Sequence, residues 1–302
     1  MSSFDEFNHH RPLLFSIAYR MLGTVTDAED MVQETFLRWQ QTADGTVRSA
    51  KTYLATITTR LCIDHLRSAR VQREHYIGTW LPEPIVTQSS DTSLDLMALA
   101  DSLSIAFLTV LERLSPIERA VFLLRDVFEY DYDDISQMVG KSPTNCRQIL
   151  RRAKQHLADQ RPRFPVPRPQ QEQITAQFLE ASTKGELQDL LLLLAKDVTY
   201  CSDGGGQVVA VLKPIHGAAK VARMLLAIRR KWLLNSVSRL VEINGQPGIV
   251  QYVNGMIHNV ITLEIVDGCI QTIYNVRNPE KLKQICKEIS LEQPSGAIDE
   301  SL

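Results

Sequence analysis

The chain of 302 residues has no apolar run near the roughly 20 residues that a membrane-spanning helix needs. Its longest apolar stretch, Leu190 to Ala195, reads only as part of a buried helix. Met1 to Phe7 carries no apolar signal-peptide core. Cysteine is scarce: Cys62, Cys146, Cys201, Cys269 and Cys286 are odd in number and far apart, and neither CxxC nor HExxH occurs. A disulfide framework and a zinc site are therefore not signalled, and the expected setting is a reduced cytoplasm without membrane, metal or cofactor. No GxGxxG opens a helix after a strand, so Gly204, Gly205 and Gly206 read as a flexible loop and not as a dinucleotide site.

Charge of one sign is also missing overall, since the formal net charge is -2. That total speaks against a polyanionic partner, but the distribution reverses it. Arg48 to Arg73 holds six basic residues against Asp64 alone, and Lys141 to Arg168 holds eight against Asp159 alone. Between them, Ile77 to Gly140 has three arginines against eleven acidic residues. Two basic blocks parted by an acidic one suit a protein that grips a polyanion at two places, although solvated helix faces give the same pattern.

With 44% hydrophobic and 23% charged residues, the chain is expected to be globular and to divide into two or three domains. Residues 1–76 read as a helical module. Residues 77–95 read as a linker, with Pro82, Pro84 and a polar run from Thr87 to Ser93. Helical periodicity returns at Leu94 and marks a second module over 96–160. Four prolines between Arg161 and Pro169 exclude regular structure and set the clearest boundary, with a linker over 161–169. Residues 170–290 then change texture, from two helical segments to β-rich runs at Val237–Ile243, Ile249–Val253, Val260–Val266 and Ile270–Val276, separated by Asn-Gly, Pro-Gly, Asn-Gly and Asp-Gly. Residues 291–302 form a tail.

In the first module Thr26 and Glu29 have capping-box spacing, and Asp27, Glu29 and Asp30 favour the positive end of a helix dipole. Ala28, Met31, Val32, Thr35 and Trp39 make one buried stripe. Glu29, Asp30, Gln33, Glu34, Leu37 and Arg38 are left outside, a mainly acidic face suited either to a basic partner or simply to solvent. A second helix over Ala50–Arg73 turns Leu54, Ile57 and Leu61 inward. Lys51, Arg60, Arg67, Arg70 and Arg73 point outward with Tyr53 near the start, an arrangement able to hold phosphates and stack an unpaired base. Tyr53 reads equally well as a core residue.

The second module has a firmer pattern. Asp131 to Met138 forms a short helix with Tyr132, Ile135 and Val139 inward, and Gly140 stands where a tight turn needs a positive φ. Ser142 caps a new helix with Pro143 at its first position. Cys146, Ile149, Leu150, Ala153 and Leu157 give its buried stripe, leaving Thr144, Asn145, Arg147, Gln148, Arg151, Arg152 and Lys154 outward. This is the helix-turn-helix layout, whose second helix enters a major groove by its N-terminal residues. Asn, Gln and Arg read base edges, while Lys and more distal Arg meet phosphates.

Taken in order, these segments resemble an extracytoplasmic-function sigma factor over about residues 1–160. Ser16 to Gly23 and Asp27 to Trp39 are similar to the region that binds core RNA polymerase. Thr52 to Arg67 is similar to the −10 recognition and melting helix. Leu114 to Arg125, with the helix-turn-helix, is similar to the −35-binding region. The resemblance implies that Asp27, Glu29, Asp30, Gln33, Glu34 and Leu37 meet core polymerase through its β′ and β subunits. It implies that Lys51, Tyr53, Arg60, Arg67 and Arg70 meet −10 DNA. At −35 DNA it implies Ser142, Thr144, Asn145, Arg147, Gln148, Arg151, Arg152 and Lys154.

Tyr76-Ile-Gly-Thr-Trp-Leu-Pro-Glu-Pro84, Asp203-Gly-Gly-Gly206 and Asn278-Pro-Glu-Lys-Leu282 are similar to motifs of the sigma subgroup with a C-terminal SnoaL-like domain. Glu280 stands where the subgroup has Asp, and Thr79 replaces a usual proline. The expected fold is multidomain: two all-α sigma domains, the second with the helix-turn-helix, and an α+β cone. The resemblance implies an attached regulator in place of a separate anti-sigma protein. Trp80, Pro82, Asp203, Gly204, Gly205, Gly206, Asn278, Pro279 and Glu280 are its expected regulatory contacts.

For the third domain three roles stay open. Asp197, Asp203, His216 and His258 are candidates for the acid–base pairs of SnoaL-like cyclases and isomerases. A small-molecule sensing pocket and a protein–protein docking surface are the others, and the docking surface is the reading taken. On it the chain is not an enzyme but a promoter-directing subunit whose activity is modulated by its C-terminal domain. The alternative is a DNA-binding adaptor fused to a small-molecule-binding or isomerase-like domain.

Overall fold

The structure, a computed structural model, describes residues 3–42, 47, 49–73, 76–87, 103–158, 166–232 and 236–291. Residues 43–46, the linker beyond 87, the start of the second module up to 102, the proline-rich stretch over 159–165 and the tail from 292 lie outside the described residues. So do the side chains of Arg70 and Arg73.

The first module consists of α1 (Ser3–Leu22), α2 (Val25–Gln40) and α3 (Ala50–Arg73). Ala28, Val32, Thr35 and Trp39 are buried along α2 at the expected spacing, and Met31 packs half-buried beside them. The expected capping box does not form. The helix begins at Val25, and Thr24, at the N-cap, donates its hydroxyl to Asp27. The buried face of α3 is also rotated from the expected one. Leu54 is buried, but Ile57 and Leu61 are only half-buried, and the inner face runs through Ala55, Thr58, Thr59, Cys62, Ile63 and Leu66. Thr58 donates to the Leu54 carbonyl at 3.1 Å and lies 3.0 Å from the Thr35 hydroxyl, so it enters the core partnered, whereas the buried Thr59 hydroxyl has no hydrogen-bond partner among the described residues.

The second module consists of α4 (Ile105–Leu111), α5 (Pro116–Phe122) running into a wider π-type turn at Leu123–Val127, α6 (Tyr132–Val139) and α7 (Pro143–Ala158). Ser115 and Glu118 form a capping box at α5. Asp131 accepts from the amides of Asp133 and Asp134 to start α6, and Gly140 at φ 65° ends it. Cys146, Ile149, Leu150, Ala153 and Leu157 are all buried, as their spacing requires. Met138 joins Ile135 in the core, while Tyr132 and Val139 are half-buried at its edge.

The third domain begins with α8 (Arg168–Lys184), inside the expected linker, because Pro169 fits the first helical turn. Then come α9 (Leu187–Leu193), β1 (Leu194–Asp203), β2 (Ile215–His216), α10 (Ala218–Trp232), β3 (Val237–Ile243), β4 (Gln246–Val253), β5 (Met256–Val266), β6 (Cys269–Val276) and α11 (Pro279–Leu291). The strand order is β2-β1-β6-β5-β4-β3. The sheet is not purely antiparallel, since β1 runs parallel to β6. The apolar stretch from Leu190 to Ala195 is not one helix either: the chain passes from α9 to β1 between Leu193 and Leu194. Asn244-Gly245, Asn254-Gly255 and Asp267-Gly268 turn the strands with positive φ at both positions, but Pro247-Gly248 lies inside β4.

Ile273, fully buried on β6 among Val198, Tyr200, Ile249 and Ile261, anchors the core of this domain. Ile273→Ala is expected to cost about 2–5 kcal/mol, read as a lower midpoint of urea unfolding followed by circular dichroism. An unchanged midpoint would remove Ile273 from the core.

Candidate nucleic-acid interface and linker clamp

On α7, Thr144, Arg147, Gln148, Arg151, Arg152 and Lys154 are exposed and Asn145 half-exposed. Ser142 accepts from the Asn145 amide at 3.3 Å, which aims the helix N-terminus outward. Arg147 lies 4.8 Å from the centre of the Tyr132 ring, and Lys154 pairs with Asp126 at 2.9 Å. One end of this basic face is thus held by aromatic and acidic neighbours while the rest stays open.

On α2, Asp30, Gln33 and Leu37 are exposed. Glu29 pairs with Arg11 at 2.5 Å and Glu34 with Arg38 at 2.9 Å, contacts that solvent screens. Asp27 lies 3.7 Å from His65.

The α3 candidates divide. Lys51 and Arg67 are exposed, with Arg67 paired to Asp64 at 3.0 Å. Tyr53 is 37% exposed and tilts against Trp39 with ring centres 6.0 Å apart, so it packs on the module without being buried in its core. Arg60 does not stand free. Its guanidinium donates to the carbonyls of Met138 at 3.0 Å and Gln137 at 2.6 Å, satisfying the C-terminal end of α6. The first module therefore holds the helix-turn-helix directly.

Other cations cross the same boundary. Buried Arg119 donates to the Met21 carbonyl at 2.6 Å and to Glu112 at 2.7 Å. Arg20, fully buried, bonds the Ser16 hydroxyl and lies 5.7 Å from the Phe128 ring centre. Burial pushes its pKa down to about 10, which leaves it charged at neutral pH. Lys51 sits 5.9 Å from the ring centre of Tyr130. A single apolar cluster runs from Ile17, Met21 and Cys62 to Phe122, Ile135 and Leu150, so the two modules share a core.

The linker is not a loose connection. Asp203, fully buried at the end of β1, accepts from Tyr76 Oη at 2.6 Å, Leu81 N at 2.9 Å, Lys281 Nζ at 2.7 Å and Gly205 N at 3.0 Å. Buried Lys281 also donates to the Leu81 carbonyl and lies 4.2 Å from the Trp80 ring centre and 5.4 Å from that of Tyr76. Asn278 Nδ2 donates to Tyr76 Oη at 3.0 Å. A Cβ on Gly205, at φ 61°, would stand 2.5 Å from that amide, which is why a glycine is needed there.

From this anchor the linker reaches into the first module. Trp80 rests on Gly23, where a Cβ would meet its ring at 2.6 Å. Glu83 donates its amide to the Gly23 carbonyl at 2.8 Å and accepts from Val25 N at 2.8 Å, placing a carboxylate at the positive end of α2. Tyr19 donates to the Glu83 carbonyl at 2.5 Å and accepts from Asn244 Nδ2 at 2.7 Å; burial pushes its pKa up, so it stays a phenol. Asn244 also donates to the Leu103 carbonyl and accepts from Ile85 N, tying one hairpin turn to both helical modules and the linker. Leu81 and Val86 are buried in the apolar cluster that also contains Val250, Tyr274 and Ile285.

The structure thus brings Trp80, Asp203, Gly205 and Asn278 together. Pro82 is buried beside them, Gly204 and Gly206 flank Gly205 in the loop, and Pro279 and Glu280 open α11 as exposed residues. Tyr19, Glu83, Asn244 and Lys281 were missed as contact residues. Their only sequence signals were membership of the quoted motifs or, for Asn244, an ordinary Asn-Gly turn. The acid–base candidates are dispersed. Asp197 and His216 are exposed, His216 lying 3.0 Å from Thr199, while Asp203 is committed to the linker and His258 bonds Arg277. Among the described residues neither histidine hydrogen-bonds to a carboxylate, and no cluster of His, Cys, Asp or Glu could hold a metal. None of the described helices is long and apolar enough to cross a membrane.

Lys281→Met leaves the Asp203 carboxylate buried without its cation and is expected to cost about 3–5 kcal/mol. Adding Asp203→Asn should cost less than the sum of the two single changes, and the Leu81 amide should exchange faster in each variant. Strictly additive losses would mean that the pair does not act as a unit.

Comparison with known proteins agrees with this arrangement. Residues 7–71 match Sigma-70 region 2, and residues 104–157 match Sigma-70, region 4. The ECF RNA polymerase sigma factor SigJ of Mycobacterium tuberculosis (strain ATCC 25618 / H37Rv) is 32% identical over 304 residues, covering 97% of each chain. The probable ECF RNA polymerase sigma factor SigI of M. tuberculosis (strain CDC 1551 / Oshkosh) is 33% identical over 283 residues, covering 93% of this chain and 94% of its own. The crystal structure of M. tuberculosis extracytoplasmic function sigma factor SigJ superimposes with a TM-score of 0.74 at 30% identity, over 93% of this chain and 98% of that one. Likeness over nearly the full length, third domain included, with both sigma regions in order, shows that the chain belongs to the extracytoplasmic-function RNA polymerase sigma factors.

Proposed function

We propose that this sigma factor is held in a closed state by its own C-terminal domain, and that it directs core RNA polymerase to promoters only after the linker clamp releases. The observation that carries this reading is the bond from Arg60 to the Gln137 and Met138 carbonyls. It ties the −10 helix to the −35 helix-turn-helix. Elements named −10 and −35 are roughly 25 base pairs apart, about 85 Å at about 3.4 Å per pair. Helix α3, 24 residues long, spans only about 36 Å, so two modules in contact cannot engage both elements at once.

On this reading the domains are region 2 over 1–76, region 4 over 96–160 and the regulatory domain over 170–290. Asp27, Glu29, Asp30, Gln33, Glu34 and Leu37 meet core polymerase, through β′ for region 2. Lys51, Tyr53, Arg67 and Arg70 meet −10 DNA, and Arg60 joins them once freed from α6. Thr144 to Arg151 enters the −35 major groove, with Arg152 and Lys154 on phosphates. The third domain regulates and does not catalyse. Its clamp reaches the positive end of α2 through Glu83, so release alters the polymerase-facing helix as well as the spacing of the DNA helices.

Asp203→Asn or Lys281→Met is expected to raise run-off transcription severalfold at limiting core enzyme, with helical content retained by circular dichroism. Unchanged or lower output from folded variants would contradict closure by the clamp. Within region 4, Arg151→Ala should weaken binding evenly across promoter sequences and flatten its salt dependence, whereas Asn145→Ala should relax base preference. Identical effects of both on every sequence would sink that division.

A further inference from the structure

The third domain encloses a cavity of about 640 Å³ between α8, α10 and the sheet, within the range of small-molecule sites. Phe178, Met224, Leu225, Ile249 and Ile261 give it apolar walls. Its polar groups include Tyr200, Gln251, His258, Asn259, Asn275 and Arg277, and the charged residues Glu180, Lys184 and Arg229 also line it. The Tyr200 hydroxyl accepts from Asn275 at 2.6 Å, and Asn275 accepts from Asn259 at 2.8 Å, which fixes these side chains in orientation.

Arg277 is the unusual member. It is half-buried, and among the described residues its guanidinium meets only neutral acceptors, the Val209 carbonyl and His258 Nε2 at 2.9 Å. Burial and the adjacent cation hold His258 below its ordinary pKa, which keeps it neutral and able to accept. Arg277 Nε, Asn259 Oδ1 and Gln251 Oε1 are buried and have no hydrogen-bond partner among the described residues. A guanidinium drawn out of water beside apolar walls without a carboxylate is a costly arrangement unless an anion completes it. The planar fork of Arg suits a carboxylate.

We propose that this cavity binds a small amphipathic carboxylic acid, its carboxylate on Arg277 and its hydrocarbon body against Phe178, Met224, Leu225, Ile249 and Ile261. The apolar walls select for hydrocarbon, and Arg277, the cation set beside Tyr200, Asn259 and Asn275, selects for a negative charge, while Lys184 is already paired with Glu180 at 2.5 Å. The site also adjoins the clamp: the Arg277 amide donates to the Asp203 carbonyl at 2.7 Å, and the next residue, Asn278, holds Tyr76. The inference goes beyond the closed-state reading and stands without it, since binding is measured directly.

Isothermal titration calorimetry of the full chain with dodecanoate and cholate, against dodecanol, tests it. At least one acid is expected to bind with one site per chain, and dodecanol at least about tenfold more weakly than dodecanoate if dodecanoate is the acid that binds. Arg277→Leu should weaken acid binding by about tenfold or more and leave dodecanol unchanged. Ile228→Trp, which fills the cavity from α10, should abolish binding, with the fold of both variants checked by thermal unfolding. No binding of either acid, equal binding of dodecanoate and dodecanol, or acid binding that survives either substitution in a folded protein would overturn the proposal.

Discussion

A carboxylate with no exposure to water cannot stay charged in a protein unless its lone pairs are answered, and Asp203 is answered from three directions at once. Lys281 comes from α11, Tyr76 and the Leu81 amide from the linker, and Gly205 from the loop that follows β1. Each donor constrains the next. Lys281 also needs the faces of Trp80 and Tyr76, and Trp80 needs the bare backbone of Gly23. Once those are set, Glu83 reaches the start of α2 and Tyr19 reaches Asn244. The path of the linker across the molecule follows from satisfying one buried charge.

The same economy of polar groups holds the helical modules together. Arg60 answers the open carbonyls at the end of α6, and Arg119 answers the Met21 carbonyl near the end of α1. Helix ends leave carbonyls unpaired, and a guanidinium from another module is a strong donor for them. These contacts are made by the residue type that also binds DNA, so a basic side chain committed to closure is unavailable to phosphate. On the proposed reading, closure and −10 DNA binding compete for Arg60, and the apolar cluster shared by the modules adds to the closed side.

Much of this fold could be read from the chain. The stripe from Cys146 to Leu157, the turn at Gly140 and three of the hairpin turns depend on local chemistry, and local chemistry is visible in sequence. Where partners come from far along the chain, the reading failed. Thr58 looks polar, yet α3 buries it because Leu54 and Thr35 supply its partners. The expected cap at Thr26 gave way to Glu83, 58 residues beyond Val25, which binds the helix end instead. Asn244 resembles any hairpin asparagine, and nothing local reveals that its amide bridges Tyr19, Leu103 and Ile85. The continuous apolar run at Leu190 to Ala195 hid a helix-to-strand change, because a stretch that is apolar at every position carries neither the helical nor the strand period, even though Leu192 is 80% exposed. The motifs around Tyr76, Asp203 and Asn278 lie together in the fold, but nothing in them assigns the geometry by which Asp203, Lys281 and Tyr76 meet.

In the proposed closed state, α3 and the helix-turn-helix are held in contact until the clamp releases. The most direct test of this state is the distance between labels at Asp64 on α3 and Gln155 on α7, both exposed, measured by energy transfer in the free protein and in the promoter complex with core polymerase. The free chain should give a single short distance, within a few tens of ångströms, and the complex a distance approaching the roughly 85 Å between the two promoter elements. A distance already long in the free chain, or unchanged in a functional promoter complex, would contradict the closed state.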